Sequence, residues 1–176
     1  MNISYLTEIL PEPTSPKDTS SKRVWQKIDD KINFPSDYVE FINNYGTGRI
    51  AQFIAIFNPF SENENVNFFE QKKNILEDLQ YLVDEDPGFY TYNLYPAPNG
   101  LLPVGVTDNG DYIFWVVTDP HKSNDWTTAI IAARSPDVEY FNENLTELLA
   151  GILSGKIKAD SFPNDFPDAK ITFESL

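Results

Sequence analysis

Asn109-Gly110, set between the apolar runs Leu101–Thr107 and Tyr112–Thr118, constrains this chain more than any other feature. An Asn-Gly step between two strand-like segments marks a tight antiparallel hairpin, because both central residues of a two-residue turn need positive φ. Further strands are predicted at Arg49–Phe57, stopped by Asn58-Pro59, at Thr127–Arg134, and more weakly at Tyr90–Tyr95. The first of these is almost wholly apolar, as a strand covered on both faces would be.

Helical periods surround this strand-rich middle. Val24, Trp25, Ile28 and Ile32 recur at helical spacing opposite Lys22, Lys27, Asp29, Asp30 and Lys31, which predicts an amphipathic helix over 22–32. A second helix is predicted over 34–46, with Pro35 in its first turn, Asp37 at the positive end of its dipole and Gly46 ending it. Tyr38, Phe41, Ile42 and Tyr45 share one face of it. Residues 61–86 suggest a long helix with an acidic end, Asp84-Glu85-Asp86, stopped by Pro87-Gly88. Asn144-Leu145-Thr146-Glu147 resembles a capping box opening a last helix that closes at Gly155. Helices first, strands in the middle and a helix last predict an α+β domain on a central, mostly antiparallel sheet.

The expected organisation is a Pro-rich leader and linker over 1–21, one domain over 22–158, and a tail over 159–176 packed on that domain and ending as a strand near Lys170–Phe173. Within the leader, residues 2–10 can form a short amphipathic turn before Pro11, Pro13 and Pro16 break it. A chain of 176 residues suits one domain. Its aromatic content of 14% argues against disorder despite a net charge of −14.

The same composition restricts the chemistry. No cysteine and a single histidine, His121, remove thiolate nucleophiles, disulfides, Cys/His zinc sites and Ser-His-Asp triads. Paired carboxylates are the one catalytic system left, and a carboxylate hydrolase is carried as a remote alternative. The Asp108–Asp111 stretch is not an EF-hand loop, since Val116 stands where that loop requires its Glu. Gly46-Thr47-Gly48 lacks the Lys and third Gly of a phosphate loop and reads as helix termination with a close backbone approach. No basic residues interleave with Trp25, Tyr38, Phe41, Tyr45, Phe114, Trp115 and Trp126, so these are expected in the core and not on a nucleic-acid stacking platform. No cofactor is implied. With no signal-like leader and no apolar stretch of about 18 residues, a cytoplasmic protein is expected.

Charge is unevenly distributed. Between Lys73 and Lys122 there is no basic residue, while Glu77, Asp78, Asp84, Glu85, Asp86, Asp108, Asp111 and Asp119 supply eight negative charges. Such a field steers a basic protein and repels nucleic acid and anionic membrane. A plain solubility surface explains the same acids equally well. Glu77, Asp78, Asp84, Glu85, Asp86, Asp108 and Asp111 are the candidate partner-binding residues.

Several blocks in order, Phe34-Pro35-Ser36-Asp37-Tyr38-Val39-Glu40-Phe41 with Tyr45-Gly46-Thr47-Gly48, Leu102-Pro103-Val104-Gly105-Val106-Thr107-Asp108-Asn109-Gly110-Asp111-Tyr112-Ile113-Phe114-Trp115, Trp126, and Tyr140 followed by Leu145–Ile157, resemble the SUKH superfamily. It groups fungal Smi/Knr-type cell-wall regulators with bacterial immunity proteins. The motif positions carrying the resemblance are Pro35, Tyr38, Phe41, Gly46, Gly48, Gly105, Gly110, Trp115 and Trp126. The leader, the acidic helix and the tail depart from the family pattern. The resemblance implies helices packed on a central sheet, no catalytic residues, and action by binding. The partner it implies is a cognate toxin, such as a nuclease, whose active surface is occluded, or, for a regulatory scaffold, several host proteins.

Overall fold

The Asn109-Gly110 hairpin forms the middle of a seven-stranded, wholly antiparallel sheet. A computed structural model describes residues 3–168 and 170–176. Met1 and Asn2 of the expected leader and Ala169 of the expected tail lie outside the described residues. The strands are β1 (Gly48–Ile50), β2 (Ile54–Ile56), β3 (Gly100–Thr107), β4 (Tyr112–Val117), β5 (Thr127–Ile131), β6 (Glu139–Phe141) and β7 (Phe173–Ser175), in the order β6-β5-β4-β3-β2-β1-β7. Four α-helices occur among the described residues: α1 (Ser4–Ile9), α2 (Ser36–Tyr45), α3 (Phe68–Glu85) and α4 (Leu145–Leu153). This is the expected α+β class.

The hairpin's turn differs from the expected form. Only Gly110 takes positive φ in it, at +85°. The Gly110 N–H donates to the Thr107 carbonyl (3.0 Å) and the Thr107 N–H to the Asp111 carbonyl (2.9 Å). The connection is therefore a type I turn followed by a left-handed glycine, a three-residue loop. Pro103, which has no N–H to give to a ladder, is accommodated where the β3–β4 register shifts between Pro103 and Gly105.

The predicted 49–57 strand is two strands. Ala51 and Gln52 adopt φ of +49° and +55°, and the Phe53 N–H donates to the Ile50 carbonyl (3.0 Å), so the chain reverses without a glycine. The reversal releases Phe53 toward Phe162 (5.3 Å) and Phe166 (4.9 Å), which seat residues of the tail. The predicted 22–32 helix does not form. The segment is irregular, Val24 is 89% exposed, and the Ile28 N–H closes a turn on the Ile32 carbonyl (2.8 Å). Trp25, Ile28 and Ile32 still reach the core, Trp25 standing edge-on to Phe60 (4.8 Å) and Phe34 (5.3 Å). Tyr90–Tyr95 contributes only an isolated bridge, Leu94 to Leu101, and β5 stops at Ile131.

Local chemistry sets the helix ends. Asn67 caps α3 by accepting from the Phe69 N–H (2.9 Å) and the Glu70 N–H (3.1 Å), which fixes the start at Phe68, later than the predicted residue 61. Asn144 and Glu147 form the predicted capping box of α4. Gly46 ends α2 at φ +71°, and a β-carbon there would lie 1.9 Å from the Lys17 carbonyl oxygen.

That contact shows what the leader does. Ile3, Leu6 and Leu10 are buried, α1 packs on α4, and the Tyr45 hydroxyl donates to the Leu10 carbonyl (2.6 Å). Helix α1 of the expected leader is thus seated in the core, while residues 11–21 stay exposed or half-buried at the surface. Helix α4 packs on β5 and carries α1 and α2, while α3 packs on β3. Between them lie Phe34, Tyr38, Phe68, Trp115 and Trp126, with Tyr38 to Trp115 at 5.0 Å and Trp115 to Trp126 at 5.8 Å.

Candidate binding surface

Helix α3 buries Phe68, Ile75 and Leu79 against the sheet and turns its opposite face to solvent. Glu77, Asp78, Asp84 and Glu85 are exposed on it, and Asp86, its C-cap, is exposed at its end. None of the five forms an ion pair among the described residues. Asp84 accepts from the Gln80 amide (2.8 Å), one turn back. Carboxylates at a helix C-terminus oppose its dipole, so intrinsic helix energetics does not account for them.

The hairpin end lies within electrostatic reach of this helix. Tyr112, the first residue of β4, has a phenol pKa raised by burial and then by the charge of Asp78. The charge of Asp78 on α3 is thus felt at the start of β4. The two hairpin acids do not contribute to the acidic surface as expected. Asp108 is exposed but paired with Arg49, which also donates to the Gln52 carbonyl (2.8 Å). Asp111 is 3% exposed: its Oδ2 accepts from the Thr107 hydroxyl (2.7 Å) and its Oδ1 from the Ala133 N–H (3.1 Å). It ties the turn to the end of β5 and presents no charge to a partner. The stretch without bases in sequence is thus met in space by Arg49, and the open part of the acidic surface is α3 and its C-cap.

The opposite half of α3 is mixed in charge. Lys72 pairs with Asp29 (3.1 Å) of the irregular 22–32 segment, where Lys22, Arg23, Lys27 and Lys31 are exposed beside Asp29 and Asp30. The helix thus runs from a neighbourhood of both signs to an acidic one. Two aromatics missed by the sequence reasoning stand at the acidic end, Tyr81 at 63% exposure and Phe89 at 53%.

Other titratable groups are committed to the fold. Asp37, 5% exposed, accepts from the Thr146 N–H (3.0 Å), joining the first turns of α2 and α4, and its pKa is raised because burial outweighs those bonds. Glu139 and Asp160 line a cleft of about 400 Å³ between β6 and the tail. Burial, then the charge of Asp160, raises the Glu139 pKa, while the Asp160 N–H donates to both Glu139 oxygens (3.0 and 3.2 Å). Asp37 does not line this cleft, so the two carboxylates with raised pKa lie apart. His121 is exposed, its N–H donating to Asp119 (2.9 Å). Among the described residues no cluster of three or more His or acidic side chains could hold a metal ion. No helix among them is long and apolar enough to cross a membrane.

The family positions are structural. Tyr38, Phe41, Trp115 and Trp126 are buried. Pro35 is the N-cap of α2, Gly46 its C-cap, and Gly48 faces Phe173 and Glu174 of β7 so closely that a β-carbon would lie 2.4 Å from either. Gly105 lies against the Ala55 carbonyl of β2 and Gly110 in the hairpin turn.

A sheet of this order, with these glycines and aromatics at its joints, defines a small α+β domain. The family model described as SMI1-KNR4 cell-wall matches residues 29–149, more than two thirds of the chain, and the protein belongs to this family within the SUKH superfamily. No curated protein and no solved structure matches the chain significantly.

Proposed function

We propose that this protein acts by binding and not by catalysis, as an immunity protein that neutralises a cognate basic toxin, such as a nuclease, by covering its active surface. The observation that supports this reading is the row of exposed, unpaired carboxylates on the second half of α3 and its C-cap. A negative surface matches the positive groove with which a nuclease holds phosphate, and long-range attraction raises the association rate while apolar contacts set the lifetime of the complex. The alternative, a Smi/Knr-type scaffold for several host proteins, draws on a free Pro-rich leader as docking segment. Burial of Leu6 and Leu10 confines such docking to the Pro-rich stretch that follows them.

The test is co-expression with a toxin domain encoded beside this protein's gene, followed by association kinetics at several salt concentrations. Changing Asp84, Glu85 and Asp86 together to Lys should slow association at least tenfold at low salt and flatten its salt dependence. Association that is unchanged by the triple reversal would refute the α3 surface as the docking site.

A further inference from the structure

We infer that Tyr81 is the anchor of this surface and receives a single cationic side chain, arginine or lysine, from the partner protein. The inference rests on the docking reading above and adds to it a residue and a ligand chemistry. On a helix, the four surface neighbours of a residue are those three and four positions away on either side. For Tyr81 these are Glu77, Asp78, Asp84 and Glu85, and all four are exposed carboxylates. At about 100° per residue, Tyr81 points away from Ile75 and Leu79, which hold α3 to the core. The tyrosine ring is thus the centre of an acidic arc on the outward face of the helix.

Solubility explains the acids but not the ring. A surface kept for solubility carries few exposed aromatics, whereas an exposed aromatic inside a polar rim is the composition of an interface centre. The negative face of an aromatic ring attracts a cation, and carboxylates around it deepen the attraction and supply acceptors for a guanidinium or ammonium. The same arrangement disfavours phosphate. An uncharged apolar partner would leave four carboxylates facing an apolar surface, a costly desolvation. The complementary occupant is therefore a protruding basic side chain.

A peptide probe tests this without the toxin. Acetyl-Gly-Arg-Gly-Arg-Gly-amide, and its counterpart with citrulline in place of arginine, are titrated into the protein while the Tyr81 ring protons and the backbone amides of α3 are followed by NMR, the amides giving the affinity of each variant. Saturable shifts of that ring with the arginine peptide and none with the citrulline peptide are expected. Tyr81→Phe, which keeps the ring, should retain the affinity within about twofold, whereas Tyr81→Leu, which keeps all four carboxylates, should weaken it by about three- to thirtyfold. Equal affinity of Tyr81→Leu and the unsubstituted protein, or equal binding of the citrulline peptide, would overturn the inference. The two readings fail separately. Toxin association slowed by the triple reversal but with a lifetime indifferent to Tyr81→Leu removes only the anchor. Toxin association indifferent to the reversal removes the docking surface, even where the arginine peptide still binds at Tyr81.

Discussion

Asp37 occupies the first turn of α2, where a carboxylate favours the helix dipole, yet burial raises its pKa above the ordinary aspartate value of 3.8. The folded state therefore holds this proton more tightly than the unfolded chain. Its contribution to stability is fully present below 3.8 and is lost as pH rises through the raised value. Asp37→Asn keeps an oxygen to accept the Thr146 N–H and removes the titration. In urea unfolding between pH 3.5 and 7, the stability of the unsubstituted protein should fall relative to that of the variant as pH rises, and a difference that is flat or grows with pH would contradict the assignment. Two neighbouring aspartates show what one sequence can and cannot reveal at this scale. Asp108 and Asp111 belong to the same turn, and their residue types and spacing say nothing of which one is paired with Arg49 and which is sealed against Thr107 and Ala133. Arg49 arrives from 59 positions away, beyond the reach of any local pattern. The ring of acids around Tyr81 was different, since its four members sit at helical spacing and are visible to anyone who centres the pattern on the tyrosine.

Elements with their own end signals were legible. The capping box of α4, the Pro35–Gly46 frame of α2 and the Asn-Gly hairpin each carry the residues that satisfy backbone groups or permit positive φ. The segment 22–32 carries a period and no such signals, and its apolar side chains reach the core from an irregular path. The β1–β2 reversal is built on Ala51 and Gln52, which carry no turn preference, so tertiary packing of Phe53 against the tail decides it. The short edge strands β6 and β7 are too brief to show alternation. Helix α3 is the element on which the binding surface depends, and Asn67 is what starts it. Asn67→Ala should lower stability by about 1 kcal/mol, read as a lower urea midpoint with an unchanged slope. The acidic half lies several turns from the cap, so peptide binding by the folded variant should not change.

At the scale of the molecule, the helix that opens the leader belongs to the structural core. Removing residues 1–20 takes away Ile3, Leu6 and Leu10, each worth about 1.5–3 kcal/mol when fully buried, against a total stability of about 5–15 kcal/mol for a domain. The truncated chain should lose near-ultraviolet circular dichroism or unfold at a much lower urea concentration, and an unchanged midpoint would show the segment to be a tether. Loss of partner binding on this truncation would accordingly report unfolding and not a docking motif. The same joint has a temporal side. Thr47 gives its N–H to the Lys17 carbonyl (3.0 Å) and accepts from the Leu176 N–H (3.1 Å), and β1 is closed on its outer side by β7 alone. During synthesis, the residues that cover this edge follow Ile50 only after Phe173 has been added, and at about 5–20 residues per second the wait is roughly 6–25 s. For that interval every nascent chain carries an open strand edge, a template for pairing with a neighbouring chain on the same message, and only the arrival of β7 withdraws it.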